Sequence, residues 1–231
     1  MDAFPARPSF ARMSGQASLM NRVIKIWSGV RALELPMVWM IDSEDPPVQL
    51  PRTLQALSIS ALDIPSCWPA AGTVPPALHD LEVQCRREVD VELERWTSAA
   101  VITSGVLAQL RTLRIIGPSA RLLPTAAVEQ LAVLETLVID NLPTIDNFAL
   151  PRSLQHLGYH ADGKVSEEHW QVQILLDAAR STLELRLLTA TRYSSQTVLK
   201  QLEDACRARG AEFGVYAEPA CFPSVRSVDW I

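Results

Sequence analysis

The chain is poor in the residues that build catalytic loops. Its 231 residues include only nine glycines, all dispersed. None of the patterns G-x-G-x-x-G, G-x-x-x-x-G-K-[ST] or G-x-S-x-G occurs. That removes the usual backbone cradles for phosphate and the elbow that presents a nucleophilic serine. Lysine is scarce, with Lys25, Lys164 and Lys200 alone, so arginine carries nearly all the positive charge. The four cysteines, Cys67, Cys85, Cys206 and Cys221, include no C-x-x-C pair. They are too few and too scattered for a disulfide framework, and read as buried free thiols in a reducing compartment. No apolar run approaches the roughly 20 residues of a membrane span. The first 20 residues lack the apolar core of a secretory signal. The expectation is a soluble intracellular protein, cytoplasmic or nuclear, with no membrane partner. A net charge of −5 and a pI near 5.4 argue against nucleic acid, whose binders carry basic patches that displace counterions.

What the chain has is a phrase used twice. Leu50-Pro51-Arg52-Thr53-Leu54-Gln55-Ala56-Leu57 returns as Leu150-Pro151-Arg152-Ser153-Leu154-Gln155-His156-Leu157. Both are copies of a pattern apolar-x-x-Leu-x-apolar. It is also met at Val30/Leu33/Leu35, Leu78/Leu81/Val83, Leu110/Leu113/Ile115 and Leu134/Leu137/Ile139. A weaker copy centres on Leu185 and Leu187, and the C-terminus offers Phe213-Val215 and Val225/Val228/Trp230. The central leucines, at 33, 57, 81, 113, 137, 157 and 185, are spaced by 24, 24, 32, 24, 20 and 28 residues. Each Leu-x-apolar pair alternates with period two, as in a short strand with one buried face. Such strands become stable when stacked, and parallel stacking needs a crossover that the remaining residues of each unit supply.

Pro51, Pro75, Pro76 and Pro151 stand just before their strands, where a missing N–H goes unneeded in a bend or first helical turn. The longer crossovers show helical spacing. Pro124 to Leu134 aligns Val128, Leu131 and Leu134 on one face. Ser166 to Arg180 aligns Trp170, Ile174 and Ala178, with Ser166 as cap and Glu167 and Glu168 at the positive end. Gln196 to Arg209 aligns Val198, Leu202 and Cys206, with Arg207 and Arg209 at the negative end and Gly210 as the residue after it. Phe10 to Trp27 also has helical spacing and reads as a helical cap. This divides the chain into a loose N-terminus with cap, residues 1–27, and a repeat domain, residues 28–231.

These units resemble leucine-rich repeats, whose pattern is L-x-x-L-x-L with a period of 20–29 residues. The proline before the strand, the uneven period and the ending Cys206-Arg207-Ala208-Arg209-Gly210 are similar to the irregular repeat domains behind F-boxes in fungal proteins. The resemblance implies an α/β leucine-rich-repeat-like solenoid, a curved parallel sheet with short helices or irregular crossovers. It further implies a non-catalytic protein–protein interaction module, and substrate recognition for a ubiquitin ligase. The chain departs from the family where an asparagine follows the strand, since Leu62 and Pro118 stand there. No F-box is read in the first forty residues, so a ligase adaptor is a partner only if an F-box is supplied elsewhere.

In such a stack the residues flanking the buried leucines line the concave face. Glu34, Asp80, Glu82, Arg114, Ile116, Val138, Asp140, His156, His160 and Arg186 are the candidate contacts for a protein partner, a mixed and slightly acidic row with apolar spots. His156 and His160 share a face but stand about 13 Å apart at ~3.3 Å per residue, too far for one metal ion. His79 and His169 lack partners at zinc-ligand spacing. Carboxylates at Glu34, Asp80, Glu82 and Asp140 read as acidic surface rather than a hydrolytic pair. No catalytic residue, metal or cofactor is assigned. A small α/β hydrolytic enzyme with an unrecognised site is the alternative, as is a structural fragment with no partner. Trp39, followed by Met40 and the acidic stretch 42–45, is the best exposed aromatic anchor.

Overall fold

The computed structural model describes residues 10–26, 29–39, 49–61, 74–85, 105–116, 129–140, 150–160, 170–182, 184–191 and 196–216. They form an α/β fold around one all-parallel sheet of nine strands, which lie side by side in sequence order. The strands are β1 (Phe10–Gln16), β2 (Ala32–Trp39), β3 (Ala56–Ala61), β4 (Asp80–Cys85), β5 (Thr112–Ile116), β6 (Thr136–Asp140), β7 (His156–His160), β8 (Leu187–Thr191) and β9 (Glu212–Tyr216). Helix α1 (Ala17–Ile26) follows β1, α2 (Trp170–Ser181) precedes β8, and α3 (Gln196–Arg209) precedes β9. A 3-10 turn at Val106–Gln109 leads into β5.

The leucine pattern sets the register. Leu33, Leu57, Leu81, Leu113, Leu137, Leu157 and Leu188 stand side by side on successive strands. Leu35, Ile59, Val83, Ile115, Ile139, Tyr159 and Ala190 form the next column, two residues on and therefore on the same face. A leading column, Val30, Leu54, Leu78, Leu110, Leu134, Leu154 and Leu185, lies just before the strands. Nearly all of these side chains are at most 1% exposed, and together they form the core. Each leucine fully buried this way contributes about 1.5–3 kcal/mol over an exposed one.

A repeated turn delivers the chain into strands β3 to β8. The N–H groups of Leu54, Leu78, Leu110, Leu134, Leu154 and Leu185 donate to the carbonyls of Pro51, Pro75, Leu107, Leu131, Pro151 and Thr182, three residues back. Proline is welcome at the head of this turn because only its carbonyl is used. The next backbone carbonyl of each unit accepts two N–H groups from the unit that follows. Arg31, for example, accepts from Gln55 and Ala56, and Gln55 in turn from His79 and Asp80. The twin phrases share one more contact. The Thr53 hydroxyl donates to the Val30 carbonyl at 2.8 Å, and the Ser153 hydroxyl to the equivalent Leu134 carbonyl at 2.8 Å. The phrase is therefore a connector that ties a turn to the unit before it.

Three segments differ from their sequence-based expectations. Phe10 to Gln16 is a strand, not the first half of a helix, and pairs in parallel with β2. Ala11 is buried there between half-buried Phe10 and exposed Arg12, so the tertiary need to cover β2 overrides the helical spacing. The helix follows, at Ala17–Ile26. The described end of the predicted helix Pro124–Leu134, from Glu129 on, is the strand-entrance turn instead. In the eighth unit the core leucine is Leu188, paired with Leu157, and not Leu185 or Leu187. Leu185 is the leading residue of that unit, and Arg186 lies in the turn before β8. The reason is geometric, since the leading and central leucines of a unit are three residues apart and a run of leucines allows both readings. Pro36 within β2 accompanies a register shift between Leu35 and Val38, as expected for a residue that cannot donate to the ladder.

Helix α3 spans the predicted residues, with Val198, Leu202 and Cys206 buried. It ends at Gly210, whose φ of 73° suits glycine after a helix. Its N–H reaches Arg207 and that of Ala211 reaches Cys206. Helix α2 buries Val172, Leu175, Leu176, Ala178 and Ala179. The predicted cap at Ser166, the N-terminus, the Met40 to Asp45 stretch and the Val225 to Trp230 copy lie outside the described residues. Truncating Leu113, which is fully buried in the middle of the sheet, to alanine is expected to lower unfolding free energy by roughly 2–5 kcal/mol in a urea titration. A loss below about half a kcal/mol would contradict the register.

Candidate functional site

On each strand the residues between the core columns point to the opposite face of the sheet. The paired register aligns them into two rows. One runs Ala32, Ala56, Asp80, Thr112, Thr136, His156 and Leu187. The other runs Arg12, Glu34, Ser58, Glu82, Arg114, Val138, Gly158 and Thr189. Most of the sequence-predicted contact residues meet here. The central ones are covered, with Asp80 at 5%, Glu82 at 8%, Arg114 at 4%, Val138 at 1% and His156 at 2% exposure. A solvated sheet face does not describe this row. Parallel sheets are commonly covered on both faces, and here Val138 and Ala56 are buried without belonging to the leucine core. Glu34 and Ile116 are half-buried. Asp140 and His160 are register partners at the ends of β6 and β7, with side chains outside the described residues. Arg186 is exposed and outside both rows.

Charges in this row pair across strands. Ser58 Oγ donates to Glu82 Oε1 at 3.1 Å, and Arg114 Nε lies 3.3 Å from Glu82 Oε2. One carboxylate thus links β3, β4 and β5. At the first strands Arg12 Nε stands 3.4 Å from Glu34 Oε1, more open to water. Buried Asp80 stands 3.2 Å from Nδ1 of His79 on its own strand approach. A buried ion pair is costly to break from one side, because the survivor keeps its desolvation penalty without its partner.

His156 differs in kind. Its Nε2 lies 3.0 Å from the Thr189 hydroxyl, and its Nδ1 has no hydrogen-bond partner. Burial, reinforced by the positive charge of Arg114, pushes its pKa down to about 4. The ring is therefore neutral at physiological pH. Thr189 was missed by sequence reasoning, because the register slip in the eighth unit hid it. The spacing Leu185-x-x-Leu188 was the available signal. Arg12 was missed with the strand that carries it.

A hydroxyl beside an imidazole invites comparison with a nucleophile and its base. The geometry does not extend to a relay. No carboxylate meets Nδ1, and Thr189 and His156 are 0% and 2% exposed, which leaves a substrate no approach. Among the described residues no group of three histidines, cysteines or acids is placed to hold a metal ion, and no helix is long and apolar enough to cross a membrane. Cys206 is a free, buried thiol pushed up to about 11 by burial, unsuited to act as a nucleophile. An open groove of about 690 Å³ between α3 and β9 is lined by Leu199, Phe213 and Val215 with Lys200, Glu203 and Arg207 on its sides. Arg207 there is engaged by Glu203 and Asp204. Comparison with family models, with curated proteins and with solved structures returned no match.

Two outcomes follow from this chemistry. Arg114→Met should cost about 3–5 kcal/mol by leaving the Glu82 carboxylate buried without its partner. The double variant with Glu82→Met should recover much of that loss, and additive losses in the cycle would show that the pair does not interact. For His156 the folded pKa lies below the unfolded value of 6.5, so the unfolded chain binds more protons between about pH 4 and 6.5. Stability should rise with pH across that window, by on the order of 2–3 kcal/mol in total. His156→Gln should flatten the rise, and equal slopes in the two proteins would refute the assignment.

Proposed function

We propose that the chain is a leucine-rich-repeat-like solenoid acting as a non-catalytic protein-interaction module, with substrate recognition for a ubiquitin ligase as its setting. One observation carries this reading. From β2 to β8 the register over the core columns keeps three columns apolar while the neighbouring positions change from unit to unit. A scaffold that is constant in its core and variable beside it is how stacked repeats present recognition surfaces. The resemblance to the repeat domains behind F-boxes supplies the ligase setting, and the F-box itself would come from elsewhere. The ion-paired centre around Glu82 and Arg114, with His156 beside it, serves in this reading to hold the array in shape. Contact with a partner falls to exposed residues of the same units.

The test is affinity purification of the tagged chain from its native cells, followed by reconstitution of the recovered pair from purified components. The expected result is one protein bound in near-stoichiometric amount, whose cellular level rises when the chain is depleted. Turnover of generic ester or phosphoester substrates by the purified chain, with no reconstituted partner, would overturn the reading.

A further inference from the structure

The strand-entrance edge carries an array that the leucine pattern draws the eye away from. Arg31, Gln55, His79, Arg111, Glu135, Gln155 and Arg186 form one row, because the carbonyl of each accepts N–H groups from the unit that follows. Arginine holds the first, fourth and seventh places. At ~4.8 Å per strand these are about 14 Å apart. Arg52 and Arg152, from the twin phrases, stand in the turns just ahead. All five arginines are exposed. Arg111 comes within 3.8 Å of Glu135, a solvent-screened contact of little strength. Among the described residues no ion pair ties Arg31, Arg52, Arg152 or Arg186 to an acid. In the turns and entrances of β2 to β8 the described acids are Glu129, Glu135 and Glu184 against five arginines, so this edge is net basic on a chain whose net charge is −5.

We propose that this edge docks an acidic, extended polypeptide segment of the partner protein. The proposal rests on the interaction-module reading and names its surface. Guanidinium groups bind carboxylates through paired hydrogen bonds, which a lysine edge could not do. From β2 to β8 the row spans about 29 Å, the reach of roughly nine extended residues, and acids about four residues apart meet successive entrance arginines. Between Arg52 and Arg152 the turns hold exposed Pro76, Ala108 and Ala132, small enough for a peptide backbone to lie close. Val133, 45% exposed, offers one apolar contact. A nucleic-acid strand fits less well, since among the described residues the edge has no Phe, Tyr or Trp on which a base could stack, and Glu129, Glu135 and Glu184 interrupt it.

The test measures fluorescence anisotropy of a labelled ten-residue polyglutamate, with a ten-residue polylysine and a thymidine ten-mer as comparisons. The full chain should bind polyglutamate saturably at about 50 mM salt and more weakly at about 200 mM. The variant R31A/R111A/R186A should lose roughly tenfold in affinity, and R52A/R152A should lose affinity independently. R22A/R207A, two exposed arginines off the edge, should bind like wild type. Circular dichroism confirms that each variant is folded. Absence of saturable binding, equal affinity in the edge variants, or tighter binding of the thymidine ten-mer overturns the proposal. If edge variants still bind the partner recovered from cells as wild type does, the edge assignment falls while the module reading stands. If no protein partner is reconstituted, both fall.

Discussion

Everything in this molecule depends on strands that advance one unit at a time without losing register. A parallel ladder slipped by one residue would turn every leucine away from the core and every polar neighbour into it. The entrance turn prevents that slip. It begins the units of β3 to β8 with the same three-residue hydrogen bond, so the leading leucine reaches the core at a set distance from the strand. The doubled acceptor at the following carbonyl then aligns the next unit to the last. Crossovers of very different length can be inserted between turns because the register is set locally, at the turn, and not by the crossover.

The same register organises the opposite face. Side chains that alternate with the leucines are brought into rows, and a carboxylate on one strand finds a hydroxyl on one neighbour and a guanidinium on the other. A face with charge this deeply buried is tolerable only when the charges pair. Farther along, the row changes to Val138 and Gly158, and His156 in the neighbouring row gives up its charge. The row thus passes from ionic to neutral along the stack. Its charges pair with each other, while the arginines of the turns are exposed to solvent.

The leucine columns were legible because period-two alternation leaves a trace in any single strand, and repetition made that trace hard to mistake. Helix α3 was legible for a similar reason, with its apolar stripe bounded by basic residues and Gly210. The first strand was not legible. Met13, Ala17, Met20 and Ile24 follow helical spacing across a stretch whose first half pairs with β2, and only the neighbour decides between the two conformations. The eighth unit failed through redundancy, since leucines at 185, 187 and 188 permit more than one alignment. Of the ten candidate residues, Glu34, Asp80, Glu82, Arg114, Val138 and His156 fall in the two aligned rows. Their burial was not foreseeable, because alternation reveals which face a residue takes and not what lies over that face.

Local chemistry determined the strands and core leucines of β2 to β7, since these depend on neighbours in sequence and on the aversion of leucine to water. Tertiary structure decided what depends on distant neighbours. It made Phe10 to Gln16 a strand and moved the eighth core leucine to Leu188. It also joined Ser58, Glu82 and Arg114 across 24 and 32 residues of chain, and set Arg31, Arg111 and Arg186 in a single row. Those outcomes arise from pairing between strands, and pairing is a property of two segments that neither segment displays by itself.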